Sequence, residues 1–121
     1  MLNLTQHNAT PEQVAQGVVE LPSDVKEELK KLLTFNTLEE TMELTERAYK
    51  IAQIAKEHGA ERVMIGGAPF FMPALESMLA LGDISAHYAF SQREVVETTL
   101  PDGSVEKKAI FKHVGFVPPV E

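Results

Sequence analysis

The sequence predicts a small Rossmann-like α/β fold in a single domain spanning residues 1–121. It should be a mostly parallel sheet flanked by helices, with a C-terminal β-hairpin. Three observations carry that expectation. First, the apolar run Val63-Met64-Ile65 stops at Gly66-Gly67, a proline-punctuated loop follows, and an amphipathic helix comes next. A buried parallel strand delivers chain to the mouth of an α/β sheet in this way, and ligands of open α/β sheets sit outside the carboxyl ends of the strands. Second, strand-like and helix-like segments alternate before residue 90. Third, two β-rich runs flank Pro101-Asp102-Gly103-Ser104, which is a hairpin pattern.

Leu2 and Leu4 belong to a short first strand. Thr10-Pro11-Glu12-Gln13 opens a helix: Thr10 caps, Pro11 suits the first helical position, and Gln13 completes a capping box. Gly17 ends that helix, and residues 18–21 form a second short strand before Pro22. Ser23 caps a helix whose apolar face is Val25, Leu29, Leu32 and Leu33. Thr37-Leu38-Glu39-Glu40 is a second capping box. It opens the longest helix, with Leu44, Ala48, Ile51 and Ala55 on one stripe and Gly59 as C-cap.

Residues 62–65 form the central strand. Pro69 and Pro73 do not share one helix comfortably, because Pro73 would clash with the carbonyl four residues back. The next helix therefore starts at Met72 or Pro73, with Leu75, Met78 and Leu79 inward, leaving 66–71 as an exposed loop. A further strand covers 84–90 and ends at Ser91-Gln92-Arg93. The hairpin strands are 95–100 and 105–111, and Phe116-Val117-Pro118-Pro119 is an extended tail.

A chain of 121 residues, 44% hydrophobic and 24% charged, has the composition of one ordinary soluble domain. It has no cysteine, which excludes a disulfide scaffold, a thiolate metal site and a cysteine nucleophile, and fits a reducing cytoplasm. Neither a signal peptide nor a membrane-length apolar run is visible. The net charge of −7 argues against duplex nucleic acid as a partner of the general surface. The acidity gathers at Glu27, Glu28, Glu39, Glu40, Glu43 and Glu46, which read as solvated helix faces. No histidine pair has metal-ligand spacing, and no cofactor motif is present.

Three strand ends converge in such a fold. The first brings Thr5, Gln6, His7 and Asn8, the middle one Gly66, Gly67 and Ala68, and the third Ser91, Gln92 and Arg93. Together they suit a phosphodiester. Arg93 forks onto phosphate oxygens, the glycine amides form a nest, and His7 moves a proton. Each residue also has a plainer role. Gly66-Gly67 serves equally as a tight turn, His7 as a bridge between loops, and Arg93 as the ion-pair partner of Glu94 or Glu97. Phe70-Phe71 either stacks on a purine or hides at a core edge or dimer interface.

The opening LNLTQHNATPEQ resembles the first strand, polar turn and helix start of small stand-alone CRISPR-associated proteins with a CARF-like fold. The segments MIGGAPFFMPAL and YAFSQREVVE look like the second ligand-facing loop and a terminal strand of that architecture. The acidic helix and the DGSVEKKAIFKH hairpin have no counterpart in the resemblance.

The resemblance implies a cytoplasmic homodimer that binds a cyclic oligoadenylate in antiviral defence and, in ring-nuclease fashion, cleaves it without metal. By that reading Gly66, Gly67 and Arg93 bind phosphate, with Thr5, Gln6, Ala68, Phe70 and Gln92 lining the site. Asn8 holds ribose or base, and His7 or Ser91 orients or deprotonates the attacking 2′-hydroxyl. The competing expectations are a non-catalytic nucleotide sensor and a protein-interaction module of a mobile element or defence locus.

Overall fold

The computed structural model describes residues 1–38 and 41–119. The elements run β1 (Leu2–Asn3), α1 (Pro11–Ala15), α2 (Ser23–Leu32), α3 (Thr41–Glu57), β2 (Arg62–Ile65), α4 (Met72–Leu81), β3 (Ser85–Thr99) and β4 (Val105–Val117). The sheet order is β1-β2-β3-β4. The first two pairings are parallel and the last is antiparallel. This is a small Rossmann-like α/β fold ending in a hairpin.

One further backbone contact sets the topology. Val19 bridges Leu2 in parallel on the side of β1 away from β2. Its amide donates to Met1 O at 2.8 Å, and its carbonyl accepts from Asn3 N at 2.9 Å. After β1 the chain therefore moves outward to Val19, then crosses back through α2 and α3 to β2. The direction of winding reverses at β1. In open α/β sheets such a reversal opens a crevice at the carboxyl ends of the two flanking strands. The expected strand at 18–21 reduces to this single bridge.

The local signals explain most of the elements. Thr10 Oγ1 accepts from Gln13 N at 3.2 Å, and Gln13 Oε1 accepts from Thr10 N at 3.0 Å, so the capping box closes in both directions. Gly59 adopts φ +67° after α3, and Ala60 N donates back to Ala55 O at 3.0 Å. An L side chain is disfavoured at that φ, hence the glycine. Helix α4 begins at Met72 with proline at its second position, where no intrahelical amide is lost.

Two expected boundaries differ. Pro22, not Ser23, is the N-cap of α2, and no side chain caps that helix. Pro22 O accepts the first helical bond, from Lys26 N at 2.9 Å, and Ser23 is already helical. The capping box expected at Thr37-Leu38-Glu39-Glu40 depends on Glu39 and Glu40, which lie outside the described residues.

The core lies between one sheet face and α2, α3 and α4. Leu2, Leu4, Val63, Ile65 and Ala86 point into it from the strands. Leu29, Ile51, Leu75 and Leu79 meet them from the helices, each fully buried. Burial of each such side chain stabilises by about 1.5–3 kcal/mol. On the opposite face Val18 and Met64 are buried outside that cluster, next to the short α1.

The strand expected to stop at residue 90 instead continues to Thr99, and β4 pairs with it as far as Val117. Two strands and a tail are thus one long ribbon, with an irregularity between Phe90 and Ser91. The polar triplet at 91–93 suggested a strand end. On a ribbon exposed on both faces, polar residues do not interrupt a strand. The turn closes as its sequence indicates: Ser104 N and Oγ donate to Asp102 Oδ1 at 2.9 and 2.6 Å, and Gly103 has φ +85°.

Candidate ligand-binding site

A cavity of about 370 Å³ opens where the winding reverses. Thr5, Gln6, His7 and Asn8 line it from the loop after β1, and Gly66 and Gly67 from the loop after β2. Thr10 and Gln13 come from α1, and Met64, Ile65, Tyr88 and Ala89 form the sheet wall. Its volume sits at the lower end of small-molecule sites, ~300–1,000 Å³. Two of the three expected strand ends therefore meet in one place.

The loop after β1 is braced from below. Asn3 is fully buried, and its side chain makes four bonds. Oδ1 accepts from Thr5 N and Thr5 Oγ1 at 2.9 and 2.7 Å, and Nδ2 donates to His7 O and Glu20 Oε1, both at 2.8 Å. Lys26, also buried, donates to His7 O at 3.1 Å and pairs with Glu20 Oε2 at 3.3 Å. Glu20 Oε1 also accepts from Ala9 N at 2.7 Å. The buried Asn3 amide and the ion pair of buried Lys26 with the more exposed Glu20 thus fix the backbone from Thr5 to Ala9, while the side chains of His7 and Asn8 stay exposed. Gln6 ties the loop to the end of α2 through Thr34 Oγ1 at 3.3 Å.

The electrostatics follow from this network. Burial pushes the Glu20 carboxyl up. Hydrogen bonds from Asn3 and Ala9 and the Lys26 charge outweigh that effect and hold it below its ordinary value. Tyr88 moves the other way: burial first, then the Glu76 carboxylate beside it, pushes its phenol up to about 12. It stands in the cavity wall as a neutral hydroxyl at physiological pH.

The glycines differ in what they permit. Gly67 has φ +151°, where a side chain is strained, and an added Cβ would meet Met72 Cε at 3.5 Å. At Gly66 an added Cβ would meet only Thr5 Cγ2, at 3.7 Å, and would enter the cavity wall without backbone strain.

Other expected site residues lie elsewhere. Ser91, Gln92 and Arg93 are mid-strand in β3, paired with His113, Lys112 and Phe111, and do not line the cavity. Alternation puts Ser91 and Arg93 on the same ribbon face as Ala89, about 7 and 14 Å farther along. Ala68 and Phe70 do not line it either. Phe71 is wholly buried, whereas Phe70 is 60% exposed and packs edge-on against Phe35 with ring centroids 5.1 Å apart.

Sequence reasoning missed Asn3, Glu20 and Lys26. Each is a polar residue within an apolar pattern: Asn3 between Leu2 and Leu4, Glu20 between Val19 and Leu21, and Lys26 beside Val25. That break in pattern was the available signal. His113, whose role the sequence leaves open, anchors β4 to α1 by donating from Nε2 to Gln16 Oε1 at 2.9 Å. Among the described residues, no group of three His, Cys, Asp or Glu side chains is placed to hold a metal ion. No described helix is long and apolar enough to cross a membrane.

Fold and cavity together define a small α/β protein with a strand-end cleft at a topological switch. The chain belongs to the family described as "Uncharacterized protein MJ1673 family", whose model matches residues 1–117. No curated protein matches the chain, and no solved structure does.

Proposed function

We propose that the cleft between β1 and β2 binds a nucleotide phosphodiester, and that the ligand is a cyclic oligoadenylate of antiviral signalling. One observation carries the reading: the cavity lies at the winding reversal, between a loop rich in amide, hydroxyl and imidazole groups and a glycine pair. In this reading the Gly66 and Gly67 amides hold phosphate oxygens, and Thr5, Gln6 and Asn8 hold ribose and base. A whole cyclic oligonucleotide exceeds the cavity, so one nucleotide unit enters it and the rest lies across the rim.

The reaction we assign is transesterification within the ligand. The ribose 2′-oxygen attacks the adjacent phosphorus and a P–O2′ bond forms. The P–O5′ bond breaks, and the 5′-oxygen leaves and takes a proton. The product is linear with a 2′,3′-cyclic phosphate end. Because the nucleophile belongs to the substrate, the protein supplies alignment and charge stabilisation. His7 is the residue we assign to orient or deprotonate the 2′-hydroxyl, since it lines the cavity and Ser91 does not.

A specific observation favours a second reading, that of a sensor without turnover. Among the described residues, no lysine or arginine lines the cavity, so developing phosphoryl charge meets amides, hydroxyls and His7 but no permanent cation. Titration calorimetry with cyclic oligoadenylates, followed by product analysis in chelator, separates the two. His7→Ala should bind within a few-fold of wild type and lose cleavage. Equal cleavage by both proteins removes His7 from the reaction, and binding with no cleavage by wild type makes the protein a sensor.

A further inference from the structure

The ribbon beyond the sheet has features that the cleft does not explain. From Ser91 to Thr99, β3 pairs only with β4, and nearly every residue of both strands there is exposed. This stretch is about 30 Å long at ~3.4 Å per residue. A two-stranded ribbon is marginal in water unless one face is covered. This one displays Val95 at 61% exposure and Phe111 at 74%.

Register and alternation assign the faces. Ser91, Arg93, Val95, Glu97 and Thr99 share one face with their partners His113, Phe111, Ala109, Lys107 and Val105. At its root this face is covered by α1, through His113 and Gln16. Farther out none of the described residues covers it.

We propose that this face docks on the same face of a second copy of the chain, with the ribbons antiparallel and a two-fold axis through Val95 and Ala109. The residue pattern is self-complementary about that axis. Val95 meets the partner's Val95. Arg93, two positions to one side, meets the partner's Glu97, two positions to the other, and the pair occurs twice. Phe111 meets the partner's Lys107, whose stem covers the ring and whose ammonium faces it.

Charge distribution favours the same arrangement. Residues 91–112 carry four cations (Arg93, Lys107, Lys108, Lys112) and four anions (Glu94, Glu97, Asp102, Glu106), so the net −7 lies wholly outside the ribbon. Antiparallel ribbons hold the two acidic bodies at opposite ends of the contact. Pairing through the β4 edge has less support, because Lys107, Lys108 and Lys112 on that strand oppose edge-to-edge extension. The contact goes beyond the ligand reading and is measured without ligand.

Two experiments test it. Sedimentation should show a dimer for wild type. It should show association weakened at least about tenfold, toward monomer, by Glu97→Arg, and recovery of the dimer in Arg93→Glu/Glu97→Arg. The chain has no cysteine, so Val95→Cys should give a disulfide-linked dimer on mild oxidation, whereas Thr98→Cys, on the opposite face, should not. A wild-type monomer, a dimer indifferent to these charge changes, or equal cross-linking from both cysteine positions would overturn the proposal.

Discussion

The Asn3 side-chain oxygen accepts two bonds from Thr5, one from its amide at 2.9 Å and one from its hydroxyl at 2.7 Å. A strand residue thereby sets the first turn of the loop that forms half of the cleft. The same amide reaches His7 O and Glu20, so one buried side chain organises the loop from beneath. Asn3→Leu strips the Thr5 amide of its partner and removes one donor each from His7 O and Glu20 Oε1, which keep Lys26 and Ala9 respectively. We expect a loss of about 1–3 kcal/mol per unsatisfied group, read from urea unfolding. Stability equal to wild type would mean that the loop is held by other contacts.

Glu20 gives the network a pH dependence. Its carboxyl lies below the ordinary 4.5 in the native state. The native state therefore holds the proton less tightly than the unfolded chain. The resulting stability is present above the ordinary carboxylate value and is lost as pH falls through the lowered native one. Glu20→Gln should flatten the acid limb of a urea-midpoint profile between neutral pH and pH 3. An unchanged acid limb would take Glu20 out of the network.

Much of this architecture is readable from local chemistry. The strand at 62–65, the capping box at Thr10 and the start of α4 all follow from short-range rules. A proline or a cap acts on neighbours within four residues. The core stripe of α3 is legible for the same reason, through its helical period. What was not legible depends on distant partners. Asn3 meets Glu20 across 17 residues, and a single bridge at Val19 decides where the winding reverses. The ribbon misled for a different reason. Burial normally marks where a strand ends, and residues 91–112 are almost entirely exposed, so Ser91-Gln92-Arg93 resembled a loop. The strand-end reading that suggested Arg93 for phosphate rested on that boundary.

The glycine pair separates structure from ligand contact. Gly67→Ala forces a side chain into a φ of +151°. We expect a cost of about 1–3 kcal/mol, visible as a lower melting temperature. Gly66→Ala meets only ordinary contact and should melt close to wild type, yet narrow the cavity and weaken nucleotide binding. If Gly66→Ala binds as wild type does, the phosphate does not sit at this turn.

Adjacent phenylalanines should differ sharply. Phe71 is fully buried against Phe35, so Phe71→Ala should cost about 3–5 kcal/mol. Phe70 is mostly exposed and outside the cavity, so Phe70→Ala should cost well under half as much and leave nucleotide affinity unchanged. A large affinity loss in Phe70→Ala would extend the site onto the Phe35–Phe70 surface.

Recognition of a cyclic oligoadenylate by the cleft between β1 and β2 is the proposal on which the rest depends. The most direct measurement incubates purified protein with a panel of cyclic oligoadenylates and common mononucleotides in chelator, resolves products by chromatography and mass, and records melting shifts in parallel. The expected result is one preferred ring, a melting shift with that ring, and a linear product ending in a 2′,3′-cyclic phosphate. A flat melting profile and intact ligands across the whole panel would contradict it.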